Sequence, residues 1–425
     1  MPAAIFLVST FTLLFLAAPI FISILAPTFF AIEVFGNPVP ATVYTARLVE
    51  GINSFALLAI PLFIFSADII SRGQIGARLL AMVESMIGHL TGGVAITTAV
   101  ACALFGAISG VGAAAVVSIG PIVYPALLRQ GYSRSFAVGL ILASSTLAML
   151  IPPSVSIIIF ALQTNGSVGQ LFLSGLSAGV LLTAAYAFYA WAYAKKNGIG
   201  KTSKASPKER LKATRDGMWA LGLPGIIFGG IYSGAFTPTE AAGAACIYAI
   251  VVETLVYRQL KLREILNVSS DSAMTISTLM ILISAGSVLT FYLTLEQVPQ
   301  QVSQILQGQP AFVILLLINV IFLLAGMFVD PSSAIIVFSP LIYPAATAAG
   351  IDPVHLGAVI VLNVALGMIT PPMGMNIFLG IMTFKVTYME AVRGSMPFII
   401  VSLIVLALIT YVPILTTWLP ELVYG

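Results

Sequence analysis

Long runs of apolar residues dominate the chain, and polar residues collect in a few short stretches between them. The runs from Val180 to Ala194 and from Phe398 to Leu415 are unbroken, without the strict alternation that membrane β-strands require. Such runs predict membrane-spanning α-helices of about 20 residues each. A chain of 425 residues then has room for about ten transmembrane helices plus two re-entrant helical hairpins. We therefore predict an all-α integral membrane protein.

The amino-acid composition also indicates that the chain lies in a lipid bilayer. Hydrophobic residues make up 59% and charged residues 8%, whereas a soluble domain carries about 25% charged residues. Cys102 and Cys246 both lie in apolar segments, so neither a disulfide framework nor a zinc site is expected. The stretch from Ala3 to Ala18 is apolar but lacks a basic start, so we interpret it as a first span rather than a signal peptide.

Positive charge concentrates in one polar stretch. Eight of the 18 Lys and Arg residues lie between Lys195 and Arg215, which predicts a cytoplasmic loop by the positive-inside rule. Counting crossings outward from this loop leaves only Arg47 on the external side and places both termini there. A nucleic-acid-binding patch is the alternative for the cluster. The absence of aromatic or folded surroundings argues against that alternative, so no nucleic-acid partner is expected.

Two copies of one pattern are related by a shift of 219 residues. About one proline match would occur by chance among 24 prolines, yet this shift superposes Pro19 on Pro238, Pro121 on Pro340, Pro125 on Pro344, and Pro152 and Pro153 on Pro371 and Pro372. We assign residues 1–194 to a first repeat, 195–216 to a basic cytoplasmic linker and 217–425 to a second repeat.

The charges after the shared Pro-x-x-Tyr-Pro motif indicate that the copies are inverted. Arg129 and Arg134 follow the motif in the first copy, whereas the matching stretch of the second, Ala345 to Leu356, has no Lys or Arg. Five crossings per copy would produce this inversion. Inverted repeats are typical of secondary transporters, whose substrate site lies at the bilayer midplane between the copies.

Each copy contains two interruptions of an apolar run. The first interruption is a stretch rich in small residues, Gly106 to Gly112 in the first copy and Gly326 to Ser333 in the second. The flanking apolar segments of about 12 to 15 residues are too short to span the membrane. We predict re-entrant hairpins at about 92–127 and 312–346. Double prolines predict unwound helices at 151–154 and 370–374, because proline removes a backbone donor and clashes with the preceding turn.

Unwound backbone inside a membrane is tolerated where it is buried in protein or lines a cavity. Free carbonyls and hydroxyls are hard oxygen ligands that suit a small cation, and the N-termini of half-helices suit an anionic substrate. Each copy therefore offers one candidate cation site, where a hairpin tip meets an unwound helix. The alternative is that the prolines merely kink packed helices.

Asp330 lies in an apolar run without a basic neighbour, and a carboxylate at membrane depth is a functional candidate. Its counterpart at the 219 shift is Val111, which favours a role in binding substrate over a role in the ion sites that both copies share. Helix capping is the alternative. Asn363 and Asn376 flank the second break and are candidates for bonds to substrate or to freed carbonyls. For Glu240, which follows Thr237-Pro-Thr, capping is the favoured role.

Several segments resemble the large membrane subunit of TRAP (tripartite ATP-independent periplasmic) transporters. They are Gly229 to Ala242 with its Pro-Thr-Glu-Ala core, Phe105 to Gly110, Ile151 to Ser154, and Thr370 to Gly374. The resemblance covers essentially the whole chain. It implies an elevator-type sodium symporter for organic acids in the bacterial inner membrane. It also implies a separate small four-helix membrane subunit and a periplasmic substrate-binding protein as partners.

The resemblance also implies site residues, largely through backbone oxygens. The first sodium site would use Gly106, Ser109, Ala148, Ile151 and Pro153, and the second Leu323, Gly326, Gly367, Thr370 and Met373. The candidate substrate residues lie at the tips and breaks: Ser109, Gly110, Ser154, Asp330, Ser332, Ser333, Asn363 and Asn376. A Gly-Ser-Ser run frequent in the family is Gly110-Val111-Gly112 here, so the acid is left open among dicarboxylates, sialic acid and similar carboxylates.

Two other functions compete with this one. A stand-alone divalent-anion/sodium symporter would share the predicted fold but work without a binding protein. An intramembrane enzyme would need a nucleophile with a base, or a His-Glu-x-x-His motif, and the sequence shows neither. A phosphate-binding loop for ATP is also absent from the sequence. We expect a carrier with at least two sodium ions and no ATP.

Overall fold

The computed structural model describes residues 8–10, 12, 13, 16, 18–35 and 40–425 of the chain, and these residues form helices and loops without a strand. The predicted first span, Ala3 to Ala18, lies mainly outside them. The all-α prediction is confirmed. The α-helices, numbered from the first long one, are α1 Ile20–Phe35, α2 Ala41–Glu50, α3 Ala59–Arg72, α4 Ile75–Ile87, α5 Gly93–Ser109, α6 Gly112–Ser118, α7 Gly120–Arg129, α8 Arg134–Ser145, α9 Val155–Thr164, α10 Val168–Lys196, α11 Pro207–Tyr232, α12 Pro238–Val251, α13 Leu262–Leu295, α14 Val298–Leu306, α15 Ala311–Phe328, α16 Pro331–Ala348, α17 Pro353–Gly367, α18 Met375–Phe384, α19 Tyr388–Tyr411 and α20 Ile414–Tyr424.

Local sequence explains where several helices begin. The hydroxyl of Thr237 accepts a hydrogen bond from the Glu240 backbone N–H at 3.3 Å, and the Glu240 carboxylate accepts one from the Thr237 N–H at 2.8 Å. This capping box satisfies two of the free donors at the start of α12 and confirms the predicted capping role of Glu240. The same box opens α11 with Ser206 and Glu209, and α19 with Thr387 and Glu390.

Apart from α14, which packs on α16, the helices pack as two groups. The scaffold group comprises α1–α4 and α11–α13, in which α4 packs on α11, α3 on α12, and α1 on α13. The core group comprises the two hairpins (α5–α7 and α15–α16), the two broken helices (α8–α9 and α17–α18), and α10, α19 and α20. In the core group, α8 and α19 approach so closely that a Cβ added to Gly139 would lie 2.0 Å from the Gly394 carbonyl oxygen. Small residues permit this approach between membrane helices.

Corresponding helices of the two halves begin at positions related by the repeat. The starts of α5 and α15, α8 and α17, α9 and α18, and α10 and α19 all lie within one residue of the 219-residue shift. The halves also pack across each other. α9 packs on α16 of the second hairpin, and α18 packs on α6 and α7 of the first. Each broken helix therefore ends against the hairpin of the other half. The inversion of the two copies stays a prediction.

Among the described residues, seven helices are long and apolar enough to cross a membrane, or eight if the pair α6–α7, bent by 54°, counts as one span. Three hairpin arms are single helices longer than the 12 to 15 residues expected: α5 has 17, and α15 and α16 have 18 each. The fourth arm is divided into α6 with 7 residues and α7 with 10. That expectation was wrong because the helices continue through Gly106 and Gly326 and end later, at Ser109 and Phe328.

Topology can be tested with single cysteines. If the basic linker is cytoplasmic, a cysteine replacing Gly425 should react with a membrane-impermeant thiol reagent added to the periplasmic side, and Ser203→Cys should not. Background labelling should be low because native Cys102 and Cys246 are buried. The reverse pattern, with Ser203→Cys labelled and position 425 protected, would overturn the orientation.

Candidate functional site: two junctions of a hairpin tip and an unwound helix

In the first half of the chain, the hairpin tip lies directly on the unwound segment. Gly110 ends α5 in the left-handed conformation with φ of +65°, and a Cβ added there would lie 2.0 Å from the carbonyl oxygen of Pro153. One turn earlier, a Cβ on Gly106 would lie 2.5 Å from Ala148 Cα. Glycine is required at Gly110 for both conformation and space. We call this contact the first junction.

The unwound segment of the first junction is fully buried. After α8 the chain narrows to a 3₁₀ turn, Thr146–Met149, passes Pro152 and Pro153, and resumes as α9. Ser154 joins the two parts, because its hydroxyl accepts a hydrogen bond from the Ile157 N–H at 3.3 Å and donates one to the Met149 carbonyl. The Ser154 hydroxyl thus connects the backbone on the two sides of the break.

Hydroxyls near the first junction differ in their partners. Ser145 and Thr146 donate back to carbonyls of their own helix at 2.7 Å, as buried hydroxyls commonly do. The buried hydroxyl oxygens of Ser109 and Ser144 have no hydrogen-bond partner among the described residues. A buried hydroxyl without a partner is costly, so Ser109 in particular is suited to a ligand that the chain itself does not supply.

The second junction joins the other hairpin to the other broken helix. A Cβ on Gly326 would lie 3.0 Å from Val364 Cα, and one on Gly367 would lie 2.3 Å from the Gly326 carbonyl carbon. The backbones of α15 and α17 therefore touch where α17 ends. The Thr370 hydroxyl donates to the Leu366 carbonyl at 2.7 Å, and α18 then begins without a side-chain cap. Met373, between the two helices, is 54% exposed.

Asp330 caps the returning arm of the second hairpin. One carboxylate oxygen accepts from the backbone N–H groups of Ser332 and Ser333 at 3.0 and 3.1 Å, and the other accepts from the Ser333 hydroxyl. These bonds satisfy free donors at the start of α16 and explain how the chain tolerates the carboxylate. The capping alternative is therefore observed, and a role in binding substrate stays a prediction.

The side-chain amides of Asn363 and Asn376 form hydrogen bonds through their nitrogen atoms alone among the described residues. Asn376 donates to the Ser145 hydroxyl at 2.8 Å and so links the two broken helices. Asn363 donates to Asn319 at 2.7 Å and to the Val359 carbonyl at 2.8 Å. Both amide oxygens, Oδ1 of Asn363 and Oδ1 of Asn376, are buried without a partner among the described residues. Each is available to accept a bond from substrate or to coordinate a cation.

Sequence reasoning missed a buried polar chain that leads to Asn363. Asn319 on α15 accepts from Asn363 and donates to the Thr410 hydroxyl at 3.0 Å. His355 is buried and bonds to the Thr416 hydroxyl at 2.8 Å and to the Thr410 carbonyl at 3.2 Å. The signal for Asn319 was present, since it is the only polar residue in the 18-residue helix α15.

The structure brings together part of each predicted set. Gly106 contacts Ala148, Gly110 contacts Pro153, and Gly326 contacts Gly367. Ile151 is buried, Leu323 is half-buried and Met373 is largely exposed, without a described contact that unites them with the rest. The described residues contain no group of three His, Cys, Asp or Glu side chains that could hold a metal ion. Any ion at these junctions would depend on carbonyl, hydroxyl and amide oxygens, which suit hard cations.

Apolar helices, hairpins packed against broken helices, and buried oxygens without partners among the described residues together define a multi-pass membrane carrier. The chain belongs to the family described as "Tripartite ATP-independent periplasmic transporter, DctM component", which it matches over residues 7–415. The family resemblance is thereby confirmed. The chain is the large permease component of a TRAP transporter, and not an enzyme.

Two curated relatives and one solved structure illustrate the similarity. The chain is 38% identical to the ectoine/5-hydroxyectoine TRAP transporter large permease protein UehC of Ruegeria pomeroyi, over 100% of both chains. It is 35% identical to the C4-dicarboxylate TRAP transporter large permease protein DctM of Rhodobacter capsulatus, covering 90% of this chain and 91% of that protein. The crystal structure of the Alcanivorax borkumensis YdaH transporter matches with a TM-score of 0.68 at 14% identity, over 91% of each chain. The last match supports the fold alone.

Proposed function

We propose that this permease imports a small organic acid by sodium-coupled transport in the bacterial inner membrane, with the basic linker cytoplasmic and both termini periplasmic. The observation that supports this best is the pair of junctions, where glycines of each hairpin lie against the backbone of a broken helix. Two such places in one chain provide two oxygen-rich sites. We infer the coupling to sodium and the stoichiometry of two ions from these two sites.

The first site would comprise Gly106, Ser109, Ala148, Ile151 and Pro153, and the second Leu323, Gly326, Gly367, Thr370 and Met373. Carbonyl oxygens accept two hydrogen bonds or contacts each, so a helical carbonyl can hold a cation in addition to its N–H partner. In the first site, the free hydroxyl of Ser109 would add a side-chain ligand. At least two sodium ions per cycle are expected, without ATP.

The substrate is proposed to be an acid because the similar permeases are named for ectoine and for C4-dicarboxylates, which share a carboxylate. The sequence has no Lys or Arg from Ser135 to Ala194 or from Glu264 to Phe384. The acid group in the core must therefore be balanced by bound sodium and by backbone N–H groups rather than by a basic side chain. The uncapped N-terminus of α18, next to buried Asn376, supplies such groups.

The movement is proposed to be an elevator, in which the core group carries both junctions past the scaffold group. The chain is also proposed to work with a separate small four-helix membrane subunit and a periplasmic substrate-binding protein, as the family description "tripartite" implies. Membrane lipid surrounds the assembly. A stand-alone symporter would need neither partner, so the requirement for the binding protein separates the two functions.

Reconstitution tests this function. Proteoliposomes that contain this chain and its small subunit should accumulate the acid only with an inward sodium gradient and only with the loaded binding protein outside. Equal uptake with a potassium gradient or a proton gradient alone would contradict sodium coupling. Uptake of free substrate without the binding protein would instead favour the stand-alone symporter.

A further inference from the structure

An open cavity of about 670 Å³, lined by both polar and apolar side chains, lies between the scaffold group and the core group. Its scaffold wall comes from α2, the segment after it and α13, and its core wall comes from the end of α9 and the following loop. A second cavity of about 500 Å³ continues from the first, because Gln163, Thr290 and Thr294 line both. None of the predicted sodium or substrate residues lines either cavity. We call the two together the outer vestibule.

The outer vestibule and the basic linker lie on opposite faces of the membrane. α10 begins at Val168, which lines the vestibule, and ends at Lys196 in the basic linker. Its 29 residues span about 43 Å, more than the hydrocarbon thickness of about 30 Å. α13 supports the same arrangement. It starts beside Lys261, which is predicted to be cytoplasmic, and ends one residue beyond Thr294, which lines the vestibule. With the linker cytoplasmic, the vestibule opens to the periplasm.

Arg47 is the one basic side chain among the described residues that line the vestibule. Its guanidinium donates a hydrogen bond to the Glu50 carboxylate at 2.8 Å and lies 4.9 Å from the centre of the Phe291 ring. The side chains of Arg47 and Glu50 are 41% and 65% exposed, and an exposed pair of this kind is weak. An arriving carboxylate can therefore replace Glu50 on the guanidinium, whose paired N–H donors match the two oxygens.

The position of this arginine fits a transient site. The segments that meet at the two junctions lack Lys and Arg, so Arg47 in the vestibule offers an acid a basic side chain that the junctions do not. Neutral hydrogen-bonding side chains of Ser54, Gln163 and Ser287 also line the cavity, together with several apolar side chains. Competition from Glu50 keeps the affinity low, which lets the acid move on to the junctions.

We propose that the outer vestibule is a binding station for small carboxylates, in which Arg47 exchanges the Glu50 carboxylate for that of the substrate. The proposal rests on the proposed import of an organic acid. It adds a second binding site for the acid, with a basic side chain that the transport site itself lacks.

Thiol labelling tests the station without uptake. Ser54→Cys places a thiol on an exposed wall position, and its reaction with anionic and cationic thiosulfonates is compared in the reconstituted permease with its small subunit. Arg47→Gln should lower the anionic-to-cationic rate ratio by about fivefold, and Glu50→Gln should raise it by about as much. Arg72→Gln, which removes another exposed arginine–carboxylate pair, is the matched control and should leave the ratio unchanged. N-ethylmaleimide, which is neutral, reports accessibility.

Protection by succinate completes the test. Millimolar succinate should slow labelling of Ser54→Cys by the neutral reagent, and Arg47→Gln should abolish that protection. An unchanged rate ratio in Arg47→Gln, or no protection by succinate in the chain that retains Arg47, would overturn the proposal. Labelling needs neither a sodium gradient nor the binding protein, so its outcome is independent of the uptake experiment. If Arg47 served only to dock the binding protein, Arg47→Gln would weaken that docking while succinate still protected the thiol.

Discussion

Gly110→Ala is expected to lower transport by about 100-fold while leaving the permease in the membrane with its small subunit. A left-handed conformation costs a residue with a Cβ about 1–2 kcal/mol, and the added carbon would lie 2.0 Å from the Pro153 carbonyl oxygen. The oxygen belongs to buried backbone, so relief requires the hairpin tip to move off the unwound segment. Overpacking of this kind adds about 1–3 kcal/mol, and about 3 kcal/mol in total corresponds to a 100-fold change. Sodium-driven uptake in proteoliposomes measures the effect.

Gly131→Ala is the matched control for Gly110→Ala. Gly131 also has a positive φ, of +89°, but no atom lies within 4 Å of an added Cβ. It therefore reproduces the conformational strain without the contact, and its transport should fall much less. Equal losses in the two variants would show that backbone strain, rather than the junction, explains the result. Wild-type uptake in Gly110→Ala would show that the junction need not close for transport.

Asp330→Asn is expected to lower transport by about ten- to 100-fold, the range that corresponds to a hydrogen bond to a charged group of about 1.5–3 kcal/mol. Asparagine caps helices about as well as aspartate, so the start of α16 should hold and the stability should change little. What disappears is the charge, which we predict accepts hydrogen bonds from substrate. Sodium binding and assembly with the small subunit should stay nearly intact. Uptake and sodium-dependent thermal stability of the purified permease measure the two effects.

Asp330→Ala separates capping from substrate binding. It removes the cap as well as the charge, at a cost of about 1 kcal/mol in stability. If only the cap matters, the Asp330→Asn variant should transport normally and the Asp330→Ala variant poorly. If the carboxylate binds substrate, both variants should lose transport. A collapse of sodium affinity in Asp330→Asn would identify the carboxylate as a cation ligand and would exclude our assignment.

Much of the fold was predictable because membrane insertion constrains sequence strongly. Apolar runs identified an all-helical membrane protein, and the double prolines marked the places where α8–α9 and α17–α18 are interrupted. The lengths of the hairpin arms were predicted wrongly because Gly106 and Gly326 looked like breaks. Both glycines are helical, and their role is to let another backbone approach. Composition alone does not distinguish a glycine that ends a helix from one that allows close packing.

The candidate site was predictable only in part. The small residues and prolines were found, but their partners across the fold were not: Asn376 bonds to Ser145, 231 residues earlier, and Asn363 bonds to Asn319. The capping of α16 by Asp330 could be named as an alternative, since its bonds are local. Long-range pairs depend on which helix faces lie together, and single-sequence periodicity does not specify this in a chain whose helices are apolar on every side.

By itself, the sequence determined the solvent and the class of this protein, because a chain with 8% charged residues must lie in lipid and its broken helices must be satisfied inside protein. The family followed from the resemblance of its motifs, such as Ile151 to Ser154 and Thr370 to Gly374. Only the tertiary structure decided which glycine touches which carbonyl, that each broken helix ends against the hairpin of the other half, and that Arg47 lines a cavity between the two groups. The physical reason is that these features act over different distances along the chain. Hydrophobicity and backbone breaks act within a segment, whereas contacts between segments arise from the packing of all helices at once.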